Sequence, residues 1–165
     1  MVNFYDIIKN YDELHGEEQI KKYSFIKEKL NINIFDETIK ILDVGHGTGL
    51  IKKVFKKNNI LGLDNSKNLL KQSNCKSLFY DFNILPLPFK DKSFDYVFCV
   101  TAFHHSKNNE SLALEFKRLS KKIVVSLLKK SSFFEEQKKI LEEVFKECNY
   151  SFYDIGIDFV FIVKC

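Results

Sequence analysis

From residue 39 onward, short apolar runs alternate with stretches of helical spacing, and this alternation constrains the fold more than any other feature of the sequence. Ile39-Lys40-Ile41-Leu42-Asp43-Val44 has the character of a buried strand, and Ile51, Val54 and Phe55 then recur at helical spacing with Lys52, Lys53, Lys56 and Lys57 on the other face. Further strands are expected at 60–63, 76–80, 94–101 and 122–128. Helices are expected at 17–30, 111–119 and 133–147, with a short one opened by Asn65 or Ser66. Residues 151–153 and 157–163, separated by Asp154-Ile155-Gly156, suit a terminal antiparallel hairpin. A parallel crossover needs a helix to carry the chain back over the sheet, so the pattern implies a doubly wound α/β fold with a mostly parallel, seven-stranded sheet.

At 165 residues, with 45% hydrophobic and 29% charged residues, the chain is expected to form one domain over 1–165, residues 1–38 being an N-terminal helical segment. Its apolar stretches 123–128 and 159–163 are far shorter than the roughly 20 residues of a membrane-spanning helix. The start MVNFYDII lacks a signal peptide's basic-then-apolar layout, so a cytoplasmic protein with no membrane partner is expected. Cysteines 75, 99, 148 and 165 form no CxxC pair, and reduced thiols are the expectation. The net charge of +4 comes from 25 Lys and one Arg against 22 acids spread along the chain. That distribution, nearly without Arg's bidentate fork, is a poor nucleic-acid footprint.

In open α/β sheets the ligand lies beyond the carboxyl ends of the strands, and the first strand-to-helix turn is the usual cofactor loop. Here that turn is Asp43-Val44-Gly45-His46-Gly47-Thr48-Gly49-Leu50. Its glycines let the backbone approach a ligand closely, but Leu50 stands where a dinucleotide fingerprint would need its third glycine. Asp43 would oppose a pyrophosphate and favour a ligand carrying an ammonium and a sulfonium.

With these residues in view, the sequence resembles the class I S-adenosylmethionine-dependent methyltransferases. ILDVGHGTG is similar to their first motif and GLDNS (62–66) to their second, while Asp81-Phe82 and the run 84–105 look like the third and fourth motifs of the branch that includes the ubiquinone/menaquinone-biosynthesis enzymes. The segment 11–23 resembles the leading helix of small archaeal-type members, whose Tyr, here Tyr11, can lie over the cofactor. The resemblance implies a Rossmann-like fold and S-adenosyl-L-methionine as cofactor. It also implies that Gly45, Gly47 and Gly49 receive the methionine part, with Asp43 on the ammonium side. Asp64 with Asn65 would hold the ribose, Asp81 with Phe82 would frame the adenine, and the Val100 backbone would line the floor. His46, where the family more often has Cys or Ala, is expected to contribute backbone alone.

His104 is the candidate catalytic base, since a histidine on the acceptor side can orient or deprotonate a nucleophile; its competing reading is structural. Cys99, inside a strand, suits packing better than nucleophilic attack. The acceptor stays open: a small metabolite, an RNA or a protein. Because the chain has no insertion large enough for a substrate cap, the N-terminal segment is expected to close over the cofactor and a partner subunit or macromolecular acceptor to complete the pocket. The rival from another class is a non-catalytic S-adenosylmethionine-binding partner or sensor module.

Overall fold

The protein's structure, a computed structural model, describes residues 11–165, Tyr11 by its backbone alone. Seven strands, β1 (Lys40–Val44), β2 (Asn59–Asp64), β3 (Lys76–Phe79), β4 (Tyr96–Cys99), β5 (Lys122–Leu128), β6 (Asn149–Asp154) and β7 (Asp158–Lys164), form one sheet in the order β3-β2-β1-β4-β5-β7-β6. The first five are parallel; β7 is antiparallel to both β5 and β6. Helices α1 (Tyr11–Leu30), α2 (Lys67–Leu70), α3 (Asn109–Leu119) and α4 (Phe134–Val144) complete the fold.

Alternation along β1 divides the core. Leu42 and Val44 face a cluster that includes Phe116 on α3 and Leu141 on α4, whereas Ile41 faces one that includes Tyr23 and Ile26 on α1. Strands buried on both faces must be apolar throughout, which is why β4 is the unbroken Tyr-Val-Phe-Cys.

Three expectations are corrected. After β1 the chain forms only a 3-10 turn, Leu50–Lys53, although Ile51 and Phe55 are buried and Lys53, Lys56 and Lys57 exposed as the spacing requires. β2 begins at Asn59, and the glycine loop uses the first of the intervening residues, leaving too little chain for a longer helix. At the other end, α1 is already helical at Tyr11, the first described residue, ahead of the expected residue 17. Thirdly, Cys148 and Cys165 are joined in a disulfide. Asn149 faces Lys164 in the β6–β7 register, so the next residues outward lie opposite one another, their Cα atoms 4.6 Å apart. Strand register, and not a CxxC spacing, brings these cysteines together.

Candidate active site

Strand β1 is followed on one side by β2 and on the other by β4, so the sheet's topological switch point lies between β1 and β4. The loops leaving those two strands meet there. Gly45 adopts φ 78°, and a Cβ on it would stand 2.1 Å from the Cβ of Ala102. No other residue type satisfies both the left-handed backbone and that close approach. The loop's entry is fixed by Gly45 N–H and His46 N–H, which both donate to the Leu63 carbonyl at 2.8 and 3.1 Å.

Asp64, at the end of β2, is buried and accepts from Gly47 N–H and Ser66 N–H, both at 2.8 Å. Burial pushes its pKa up, moderated by those two backbone donors. Each carboxylate oxygen keeps a further lone pair for a ligand hydroxyl. Asn65 beside it is exposed, and Val100 and Gly45 line a cavity with Gln19, Tyr23, Thr48 and Leu50. The cavity's volume is about 20 Å³, space for a water and not for a nucleoside. Helix α1 closes it, because Thr48 Oγ1 donates to Asp12 Oδ1 at 2.5 Å and Gln19 Nε2 donates to Thr101 Oγ1 at 3.2 Å.

Asp43 is not placed as the family resemblance implies. It is 1% exposed, and its Oδ2 lies 2.8 Å from His46 Nδ1, so its charge is directed at His46 and not into the cavity. His46 in turn contributes far more than backbone, its ring being wholly buried between Asp43 and Ser73. Asp43, His46 and Ser73 thus form a hydrogen-bonded row with the connectivity of a hydrolytic triad. It cannot work as one. Burial alone would push the His46 pKa down, but the hydrogen bond and charge of Asp43 outweigh it and hold the value at about 10, with Cys75 adding to this where its thiol is ionised. An imidazolium cannot take the proton of Ser73.

Asp81 and Phe82 are committed locally. Asp81 Oδ1 accepts from Asn83 N–H and Asn83 Nδ2 at 3.0 and 2.9 Å, closing its own turn, and Phe82 belongs to the buried core. Asn83 then receives Lys107 N–H at 2.7 Å, tying this loop to the one after β4. Tyr11 heads α1, and its side chain lies outside the described residues.

On the acceptor side, His104 sits in a 3-10 turn, Phe103–His105, with its ring 3.9 Å from that of His105. Its Nδ1 is buried without a hydrogen-bond partner. Burial, then the charges of His105 and Lys22, lower its pKa to about 4. That is far below the neutral range where a general base works best, so the ring stands as a neutral hydrogen-bonding group. Burial likewise pushes the Cys99 thiol well up, removing it as a nucleophile.

A second polar cluster had no signal in the sequence. Lys22, 2% exposed, donates to Thr101 Oγ1 at 2.9 Å and pairs with Glu18 at 2.5 Å and with the fully buried Asp158 at the start of β7. Thr101 holds a positive φ of 57°, with its N–H on Ser126 Oγ at 2.8 Å. For a β-branched residue such a backbone is a marked outlier. The cluster joins residues about 80 positions apart, which no local pattern reveals.

Residues 42–128, more than half of the chain, match the methyltransferase domain family. The chain belongs to that family. An uncharacterized protein of Methanocaldococcus jannaschii is 34% identical over 142 residues, covering 82% of this chain and 58% of its own. The demethylmenaquinone methyltransferase of Bacillus pumilus is 33% identical over 108 residues, 57% of this chain and 46% of that protein. This methyltransferase-family chain therefore spans about half the length of the curated relatives it matches. Among solved structures, a chain of the complex between the Haloferax volcanii Trm112 methyltransferase activator and a methyltransferase superposes with a TM-score of 0.73, at 14% identity, covering 99% of this chain and 98% of that one. The shared fold is a methyltransferase's, and S-adenosylmethionine is the donor that such a family uses. No helix among the described residues is long and apolar enough to cross a membrane.

Proposed function

We propose that the chain is an S-adenosylmethionine-dependent methyltransferase that places its acceptor over the ends of β4 and β5. The observation that carries this reading is the glycine loop meeting Ala102 at the switch point, with the Asp64 carboxylate one strand away. When bound, the cofactor supplies an electrophilic methyl group on a sulfonium. The chain's own task is to hold and align, since proximity and orientation can supply much of the acceleration of a displacement at carbon. Loop 45–49 would take the methionine part, Asp64 with Asn65 the ribose, and Asp81 with Phe82 the adenine side, Asp81 through the oxygen that its turn to Asn83 leaves over and Phe82 through backbone because its ring is in the core. Val100 floors the site, and the half-buried His104 stands beside the acceptor as a neutral group whose Nδ1 would have to be uncovered before it could bond one.

The 20 Å³ cavity supports the amino-terminal half of α1 as a lid, opened by parting Asp12 from Thr48 and Gln19 from Thr101. Its other half is fixed, with Tyr23 and Ile26 in the core. A partner subunit or macromolecular acceptor then completes the pocket. The activator-bound Haloferax structure supports this, as does edge strand β3, whose four residues are all exposed and include Leu78 and Phe79. We place the protein in the cytoplasm, where the donor is made. Incubation with methyl-labelled cofactor and fractions of a host lysate tests the proposal: label in a macromolecular fraction supports it whole. Label in a small metabolite with the purified chain alone would remove the partner, and tight binding without any label would leave a sensor module.

A further inference from the structure

Asp43 ends β1 at 1% exposure, and a carboxylate so far from water is costly unless a cation compensates it. Among the described residues, no lysine or arginine forms an ion pair with it. Its contacts are Tyr23 OH at 3.4 and 3.5 Å and His46 Nδ1 at 2.8 Å. The fold is cut to hold that imidazole. Gly62 lies directly opposite Asp43 in the β1–β2 register, and a Cβ there would stand 2.2 Å from His46 Cγ, so the ring occupies the space of a missing side chain. From the far side Ser73 Oγ meets Nε2 at 2.8 Å.

We propose that His46 is the built-in counter-cation of Asp43, and that the pair sets how strongly the site distinguishes cationic S-adenosylmethionine from neutral S-adenosylhomocysteine. This rests on loop 45–49 receiving the methionine end. The two ligands differ by the sulfonium charge. An uncompensated Asp43 beneath the loop would favour the charged one, so product would leave easily and compete weakly. Paired with His46 it is half of a dipole whose field falls away steeply, and product competes nearly as well as donor. Asp64 and the thiols of Cys75 and Cys99 also face the pair, and Asp64 is drawn to the His46 charge as Asp43 is. The elevated His46 pKa agrees with a cation at neutral pH.

Calorimetric affinities for both ligands, measured on the wild type, His46→Gln and Asp43→Asn, test this. In His46→Gln, which keeps the carboxylate and removes the cation, preference for the sulfonium over the homocysteine form should rise on the order of fivefold. In Asp43→Asn the buried ring loses what holds its second proton, so its spectra should turn to a neutral imidazole at pH 8 and the ratio should stay near the wild type's. Nitrogen-edited spectra of the wild-type imidazole at pH 8 should show both ring nitrogens protonated. A folded His46→Gln with an unchanged ratio, or a neutral wild-type imidazole at pH 8, overturns the inference. If His46→Gln fails to fold, Asp43→Asn and the spectra still decide it. Failure of the wild type to bind either ligand would defeat the assignment of the loop, while the spectra would still judge the counter-cation.

Discussion

The donor end and the acceptor end of the site solve the same problem, a buried charge, in different ways. Under the glycine loop, Asp43 and His46 stand three residues apart and are held by β1 and its own turn. Beside the end of β4, Lys22 reaches from α1 to Asp158 on β7, across most of the chain. The first pair needs only β1, its turn and the adjoining segment from β2 to Ser73. The second requires the whole sheet and α1 together. The difference teaches that the donor end is a local motif and the acceptor end a tertiary one, so disturbance should unmake the acceptor end first.

The largest effect is expected from Lys22→Met, which leaves Asp158 buried with no cation. Breaking a buried pair by removing one partner costs about 3–5 kcal/mol, or roughly 10 °C in melting temperature for a domain of this size. Burial already raises the Asp158 pKa, so the loss should shrink toward acid pH as that carboxyl protonates. Thermal melts at pH 5 and 8 check both statements, and an unchanged melting point at pH 8 would deny the ion pair.

Gly62→Ala strikes the donor end instead, by forcing a methyl into the His46 ring. Overpacking of this kind costs about 1–3 kcal/mol. If the Asp43–His46 unit is as local as proposed, cofactor affinity should fall along with stability, whereas Lys22→Met should spare affinity at temperatures where it stays folded. Equal losses of affinity in both variants would erase the distinction.

Asp64→Ala removes the proposed ribose acceptor. Hydrogen bonds to a charged group are worth about 1.5–3 kcal/mol, so S-adenosylhomocysteine should bind tenfold or more weakly in calorimetry. Unchanged affinity would place the ribose elsewhere.

This contrast also explains what could be read in advance. The strands' places along the chain, the hairpin and the glycine loop were legible because each is encoded by runs of apolar or alternating residues or by adjacent residues. Asp64 was legible because strand ends carry it. Lys22, Gln19, Thr101 and Asp158 were not: a buried lysine on a helix has the same spacing as an apolar one, and Thr101's positive φ depends on Ser126 from another strand. The disulfide escaped for the same reason, since Cys148 and Cys165 meet only through the β6–β7 register. His46 was visible as a departure from the motif, but its role required knowing that Gly62 lay beside it.

The smallest expected effect is the acid limb of a pH profile that separates the two ends through two histidines shifted in opposite senses. His46 has a folded pKa raised from 6.5 to about 10. Its stabilisation is therefore complete below pH 6.5 and is lost as pH rises toward 10. His104 has a folded pKa lowered to about 4. The unfolded chain then binds the extra proton between pH 4 and 6.5, so stability falls as pH drops through that window. The ring is partly exposed, and screening by water limits this limb to about 1 kcal/mol. His104→Gln should flatten the acid limb and leave the alkaline one, and His46→Gln should do the reverse. Urea unfolding at pH 5, 6.5 and 9 reads both limbs. If His104→Gln left the acid limb as steep as in the wild type, His105, whose pKa burial also lowers, would control it, and the neutral His104 assigned to the acceptor side would lose its support.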